Sequence, residues 1–404
     1  MQLTHISLTN FRNFVRLETD LPSGPTLLVG ANAQGKTSLL EAVHFLVGAS
    51  SPHAGSDRQL INFLALEEAQ PVSRIVAEIE RAGQTRRIEI RIILDPVGQA
   101  GETRLRKEIL INGVKKRVRD LAAGFNAVLF LPQDMRVIEG SPGDRRRHLD
   151  HTLSQGDSTY ATTYSQYTKV LSQRNALLKL LQERNGSLDQ LRFWDEQLVE
   201  HASSLIHARA LTLHELEQRA TRIHSQLTEG QEALRIAYLP AYTPVRQNKQ
   251  HMELALNNST DWTVIPHEQL RDGLLQSLEQ VRREEIARGL TLLGPQRDDV
   301  RISANGLDLR LYGSRGQNRT AMLAIKLAEV DWLHARSGEW PVLLLDEVLA
   351  ELDPARRDAL LARVTQVNQS LLTAADLRMF NKDFRDHAQI WQIEAGTARP
   401  MEEI

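Results

Sequence analysis

Gly30-Ala31-Asn32-Ala33-Gln34-Gly35-Lys36-Thr37-Ser38 decides how the rest of the chain is read. Two glycines stand five positions apart, followed by a lysine and a hydroxyl residue. Residues 25–30, which lead into the loop, form a short apolar run suited to a buried strand, and residues 37–48 carry enough Leu, Val and Phe for a covered helix. Strand, glycine loop, helix is the setting in which this pattern binds phosphate. Glycine lets backbone N–H groups turn inward around phosphate oxygens, and the helix N-terminus adds partial positive charge. Lys36 is expected on the β- and γ-phosphates of a nucleotide and the Thr37 hydroxyl on Mg²⁺. The plain alternative is a Gly-rich strand-to-helix turn without a ligand, and the acids found further along count against it.

A chain of 404 residues can bury a large core and is expected to divide into more than one unit. It has no cysteine, which excludes disulfides and Cys-ligated zinc. No apolar run approaches the roughly 18 residues of a spanning helix. The chain goes straight into a strand-like segment over residues 3–8, so a cytoplasmic protein with no membrane partner is expected. Net charge is only −2, so any nucleic-acid contact must come from local basic patches.

Outward from the loop, β-like runs lie at residues 3–8, 72–79, 87–94 and 109–111, the last leading into the hairpin dipeptide Asn112-Gly113. Another apolar strand over residues 127–131 ends at Pro132-Gln133-Asp134. Near Pro142 the texture becomes helical. One stripe runs through Tyr160, Tyr164, Tyr167, Leu171, Leu178 and Leu181. After a break at Asn185-Gly186 a second begins at Leu191, Trp194, Leu198 and Leu205, and continues in shifted phase to Leu227. Two helices in an antiparallel hairpin follow from this, as a projecting arm or as a bundle. A polar stretch over residues 240–266 precedes a further helix with Leu270, Leu274 and Leu278. Strand texture returns at 299–302, with a turn at Asn305-Gly306 and an expected partner strand over 307–311.

The apolar run Leu343-Leu344-Leu345 ends in Asp346-Glu347. An acid leaving a buried strand beside the loop can ligate Mg²⁺ (Asp346), and the next can polarise a water (Glu347). Asp353 precedes Pro354 and reads both as a helix N-cap and as a further acid near the site. Ser314-Arg315-Gly316-Gln317 heads a helix over 320–335, so two readings stand: a Gly-rich hairpin exit that caps the helix, or a phosphate-reading element. Because Gly30 to Thr37 already supplies one phosphate loop, a second serves best by completing the site of another copy.

With these residues in order, the chain resembles the ABC-type ATPase head of the SMC class, and more narrowly the RecF family of bacterial recombination-repair proteins. The resemblance is carried by Leu8-Thr-Asn10-Phe11-Arg12-Asn13, by Gly30 to Ser38 with Leu39-Leu-Glu41-Ala42, and by Gly140-Ser-Pro142 through Arg145-Arg-Arg147-His-Leu-Asp150. Gly294-Pro-Gln-Arg297-Asp298-Asp299, Gly316-Gln-Asn-Arg319-Thr320 and Lys326-Leu-Ala-Glu329 complete it. It implies an α/β fold, an SMC-like P-loop head with an inserted, mostly helical arm domain, divided as residues 1–145, 146–288 and 289–404. It implies a weak ATPase that takes ATP and Mg²⁺, forms an ATP-dependent homodimer and binds DNA at gaps or duplex–single-strand junctions. RecR and RecO, and indirectly RecA, are the implied partners, in repair, replication restart and the SOS response.

Residue by residue, the resemblance puts Lys36 and Thr37 on phosphate and Mg²⁺, Gln133 at the metal-sensing loop, and Asp346 and Glu347 at hydrolysis. Ser314, Arg315, Gly316 and Gln317 become the signature facing the partner's ATP, and Asp353 lies on the loop crossing that interface. Two positions depart from the pattern. Ala31 and Ala33 stand where the family usually has Glu and Gly, and Ala374-Ala375 replaces the ABC histidine, so no γ-phosphate sensor is assigned there. The inserted helices and the absent histidine argue against a transporter nucleotide-binding subunit. Only about fifty residues follow Asp353, too few for the acidic metal domain of an ATP-driven nuclease. For DNA, residues 104–119 hold Arg104, Arg106, Lys107, Lys115, Lys116, Arg117 and Arg119 against the acid Glu108. On a hairpin they either track phosphates or form a solvated charged face.

Overall fold

The computed structural model describes residues 1–97, 102–121, 124–183, 188–242, 261–374 and 376–401. Two compact units emerge, Met1–Asp134 with Glu329–Ile404, and Met135–Ala328. The lines fall differently from the expected 145 and 289. Strand Asp299–Ala304 pairs with Leu234–Leu239, and this draws the Ser314–Gln317 element into the helical unit and not into the C-terminal part of the other.

The first unit is built on two six-stranded sheets. One runs antiparallel in the order Phe14–Asp20, Gln2–Phe11, Val72–Arg81, Gln84–Val97, Glu102–Ile111, Val114–Lys116. A register shift between Leu3 and His5 allows Leu3, Ile6 and Leu8, which are out of step for a period of two, all to be fully buried. The other has the order Thr397–Pro400, Gln389–Glu394, Gly24–Val29, Gln369–Ala374, Val342–Asp346, Ala127–Phe130, parallel except for its first edge strand. Val342–Asp346 and Gln369–Ala374 are buried at every position, as strands covered on both faces must be.

Helix Lys36–Gly48 shares one core with side chains from both sheets, and ten of its thirteen residues are buried. Each fully buried Leu, Val or Phe stabilises by about 1.5–3 kcal/mol relative to exposure, which accounts for a helix that is apolar nearly all round. It anchors the loop that precedes it.

In the second unit, helix Pro142–Gly156 starts with a capping box between Ser141 and Asp144 and a proline in its first turn. Helices Ser158–Gln182, Leu188–Leu227 and His267–Arg288 pack on one another as a bundle. The two stripe phases expected after Leu191 belong to one continuous helix, whose 3.6-residue turn drifts against a heptad. The expected Asn185-Gly186 turn lies outside the described residues, as do residues 243–260 of the polar stretch over 240–266.

The bundle is held by buried charge. Arg174, wholly buried in the middle of the tyrosine–leucine stripe, donates to Asp195 (2.7 Å), Glu285 (2.6 Å) and Thr291 (2.7 Å). Arg209 donates to Asp150 (2.7 Å), Asp298 (3.1 Å) and the Pro295 carbonyl (2.7 Å), and the Tyr238 hydroxyl donates to Asp298. Arg145 makes a fork to Asp299 at 2.7 and 3.0 Å. Such charges stabilise only as a complete set, since each alone would stay unpaired in a dry interior.

The strand expected over 307–311 is corrected. It ends after Leu307–Asp308, because the Asp308 side chain accepts from the Arg310 N–H (2.9 Å) and caps a helical turn, Leu309–Tyr312. No helix among the described residues is long and apolar enough to cross a membrane.

Candidate nucleotide-binding site

The glycines of the loop are required by contact. A Cβ at Gly30 (φ 158°) would lie 2.3 Å from the Ile393 carbonyl oxygen, and one at Gly35 (φ 116°) would lie 2.6 Å from Asn13 Nδ2. Ala33 takes φ 65°, which explains why glycine is usual there; alanine bears about 1–2 kcal/mol of strain. Two neighbours to which the sequence assigned no part in the site brace the loop. Asn13 donates from Nδ2 to the Gln34 carbonyl (2.8 Å), and the Ala395 N–H donates to Gln34 Oε1 (2.7 Å). Asn13 had been visible only as part of a family motif. Ala395-Gly396 is a tight turn (φ 47° and 74°) without the asparagine that usually signals one.

Lys36 is buried. Its ammonium donates to the carbonyls of Gly30 (2.8 Å) and Ala31 (3.2 Å) and lies 3.7 Å from a Glu347 carboxylate oxygen. The Lys36–Gly48 helix starts at Gly35 with no side-chain cap, so its first N–H groups are not taken by a side chain. One strand, Gln369–Ala374, separates the loop strand from the acid strand. Across this spacing the Thr37 hydroxyl shares its proton between both Asp346 oxygens, each at 3.0 Å, and the Thr373 hydroxyl donates to Asp346 (2.8 Å). Glu347 takes φ 53°, its N–H donates to Thr373 Oγ1 (2.9 Å), and its side chain is about half exposed at 47 %. A non-glycine residue in this conformation stores strain, and such strain clusters at functional sites. Ala375 lies outside the described residues.

Lys36, Thr37 and Glu347 line an open cleft of about 540 Å³ together with Asn32, Ser38 and Arg12, and Asp346 lies behind the Thr37 hydroxyl. Arg12 is held flat, bidentate on buried Glu41 at 2.7 and 2.7 Å, with a third N–H on the Gln59 carbonyl at 3.0 Å. The residues fit ATP with Mg²⁺. A cradle that any Cβ would fill, an uncapped helix start and a lysine suit phosphates. A hydroxyl and a carboxylate suit a hard cation that completes its shell with phosphate and water oxygens.

The remaining expected residues stand elsewhere. Gln133 sits in the turn Pro132–Met135, its carboxamide nitrogen 2.8 Å from His53 Nδ1. Asp353 accepts from the Arg356 N–H (3.0 Å) as N-cap of helix Pro354–Val364, and that bond is the first reason its carboxyl is held below the usual range. In the second unit, Ser314 and Gln317 form reciprocal cap bonds. The Ser314 N–H donates to Gln317 Oε1 (3.0 Å), and the Gln317 N–H donates to Ser314 Oγ (3.2 Å). The capping reading therefore describes the chain by itself, and the side chains of Ser314 and Arg315 remain exposed.

The basic hairpin is less free than its composition implies. Lys107 is tied to Asp57 (2.8 Å) and the Ala49 carbonyl (2.7 Å), while Arg106 pairs with Asp95 (2.8 Å) and with Glu108. Lys115 reaches Glu108 at 3.3 Å, Arg104 faces Asp95 across the ladder, and Arg119 lies 3.9 Å from Asp120. On the neighbouring strand Glu89 is pulled down to about 2, first by the hydrogen bond from Arg74, so that ladder stays ionised and paired. Lys116 and Arg117 are exposed with no carboxylate in ion-pair range among the described residues.

Known proteins resemble this chain over nearly its full length. Residues 2–398 match the RecF/RecN/SMC N-terminal domain family. The DNA replication and repair protein RecF of Roseiflexus castenholzii is 37 % identical over 411 positions, covering 99 % of this chain and 100 % of the relative. That of Shouchella clausii is 34 % identical over 399 positions, covering 98 % and 99 %. The solved structure of the recombination mediator protein RecF with ATP, in the RecFOR pathway, superposes with a TM-score of 0.82 at 30 % identity, covering 99 % of this chain and 97 % of that one. The Smc head from Pyrococcus furiosus, bound to the C-terminal domain of ScpA, shares the fold alone, at a TM-score of 0.50 and 16 % identity over 99 % and 95 %.

Proposed function

Since this chain belongs to the RecF family of DNA replication and repair proteins, which are ABC-type ATPases of SMC-like fold, we propose that it is an ATP-driven clamp on DNA. ATP pairs two copies, the pair binds gapped or duplex–single-strand junction DNA, and RecO and RecR use the bound clamp to direct RecA loading. Full-length likeness to repair proteins leaves the transporter and nuclease readings without support. What supports the proposal is the exposed helix start at Ser314, read here as a second phosphate-reading element beside the Gly30–Thr37 loop. Two-fold pairing gives each ATP both elements, Lys36 from one copy and Ser314 from the other.

In this reading Lys36 leaves the Gly30 and Ala31 carbonyls for the β- and γ-phosphates. The Thr37 hydroxyl and Asp346 would give up their mutual bond to hold Mg²⁺, and Gln133 would have to turn from His53 to act as the metal-sensing group. Bound Mg²⁺ neutralises charge on the phosphate oxygens. Glu347, released from Lys36, accepts a proton from the attacking water. Only the paired state makes the second set of phosphate contacts, and that differential affinity is what lets ATP drive pairing.

Ser314→Arg tests the pairing. The site is exposed, so the fold should survive at about 1 kcal/mol of lost capping. Calorimetry is expected to show nearly unchanged ATP affinity, while light scattering shows no doubling of mass with ATP. A variant that still doubles its mass refutes the role of Ser314 in trans.

For DNA, the unpaired end of the hairpin is the tractable part. Reversing Lys116 and Arg117 to Glu together with Lys115 is expected to weaken binding to every sequence and flatten its salt dependence. An unchanged salt slope moves the DNA surface away from this hairpin.

A further inference from the structure

Seven of the nine phenylalanines are buried, and the most exposed of them, Phe63 at 71 %, lines the nucleotide cleft. Its backbone is nonetheless clamped. Next to it, buried Asn62 donates from Nδ2 to the Arg12 carbonyl (2.7 Å) and accepts from the Leu64 N–H on Oδ1 (3.0 Å). The Asn62 N–H donates to the Asn10 carbonyl (2.9 Å), and Phe11 bridges Ile61. The segment that carries the ring is thus fixed to the end of strand Gln2–Phe11, the same place from which Arg12 and Asn13 reach the cleft and the loop. A ring held in water by a rigid backbone contributes nothing to the core. It does offer a flat apolar face whose position is set in advance.

The cleft is therefore amphiphilic. Lys36, Thr37 and the helix start line it with phosphate chemistry, and Gln59, Ile61 and Phe63 line it with an apolar and aromatic surface. Gln59 Oε1 already accepts the Gly55 N–H (2.9 Å), which orients its amide and leaves donors for a ring nitrogen. We infer that Phe63 is the stacking platform for the base of a bound purine nucleotide, with the Gln59 amide at the base edge. The inference rests on the phosphate-loop reading above and extends it to the nucleoside. Stacking is tolerant of base identity because every base has a π face. Phe63 therefore supplies affinity shared by ATP and GTP, and any preference between them comes from edge contacts.

Calorimetry of the full chain with MgATP, and separately with magnesium tripolyphosphate, tests this. Phe63→Leu keeps an apolar side chain and removes the π face. Its ATP affinity is expected to fall about tenfold while tripolyphosphate binding is unchanged. Phe63→Trp is expected to keep ATP affinity, and ATP but not tripolyphosphate should quench its added fluorescence. Unchanged ATP affinity in Phe63→Leu, or an equal fall for both ligands, overturns the platform. Lys36→Ala separates this from the underlying reading, for it is expected to weaken both ligands. If it weakens neither, the phosphate loop itself is misassigned, whatever Phe63→Leu does.

Discussion

Glu347→Gln is expected to lower ATP turnover by about 10²- to 10⁴-fold, the usual contribution of a positioned general base, while ATP affinity changes by no more than a few-fold. The amide keeps the size and backbone preference of the acid, so the φ of 53° and the N–H bond to Thr373 persist. The side chain is half exposed, so stability should change little. What disappears is proton acceptance, together with the weak attraction to Lys36 at 3.7 Å. ATP that binds but is not cleaved should accumulate the paired state, so light scattering of this variant ought to show longer-lived dimers. Turnover within a few-fold of the unaltered chain would remove Glu347 from the chemistry and leave Asp346 as the acid to examine.

The second large effect concerns stability. Arg174→Met is expected to destabilise the helical unit by about 3–5 kcal/mol, because it strands Asp195 and Glu285 in a dry interior. Both acids are buried with Arg174, and Thr291 loses its donor as well. Arg282, 2.9 Å from Asp195, relieves that acid only in part. Urea unfolding followed by helical circular dichroism reads the loss. Replacing all three charges at once, as Met with two Leu, should recover most of it, since a well-packed apolar set often matches a buried ionic one. A single substitution that loses less than about 1 kcal/mol means water reaches the network.

The parts of the site that were legible in the sequence are local in the chain. Gly30 to Thr37 and Asp346-Glu347 each announce themselves within a few residues, because a phosphate cradle and an acid at a strand tip are short-range devices. Asn112-Gly113 and Asn305-Gly306 likewise give their turns away, with positive φ at both positions. Ala82-Gly83 and Ala395-Gly396 adopt the same geometry and were missed, because alanine carries no signal for it. Strand Leu234–Leu239 was missed for a different reason: its partner Asp299–Ala304 lies some sixty residues away, and only that pairing makes it a strand. Arg174, Asp195 and Glu285 look in sequence like three ordinary helix-surface charges. Their meeting is a matter of tertiary packing. Phe63 was equally silent, since an aromatic residue in an apolar run reads as core until its exposure is known.

Strand Gly24–Val29 has both its neighbours, Gln369–Ala374 and Gln389–Glu394, from the far end of the chain. Buried Gln369 adds stitches of its own, accepting from the Leu3 N–H (2.8 Å) and donating to the Leu3 and Pro22 carbonyls (2.8 Å each). At about 5–20 residues per second, a ribosome takes roughly 20–70 s to get from one to the other. Throughout that interval the nascent strand is unpaired on both edges and Gly30 has no Ile393 to lie against, and Asp346 is made only near its end. The helical unit, contiguous in sequence, can fold while it waits. A polypeptide interrupted before residue 369 lacks both neighbours of the loop strand, so a truncated product is expected neither to bind ATP nor to enter the pair proposed above.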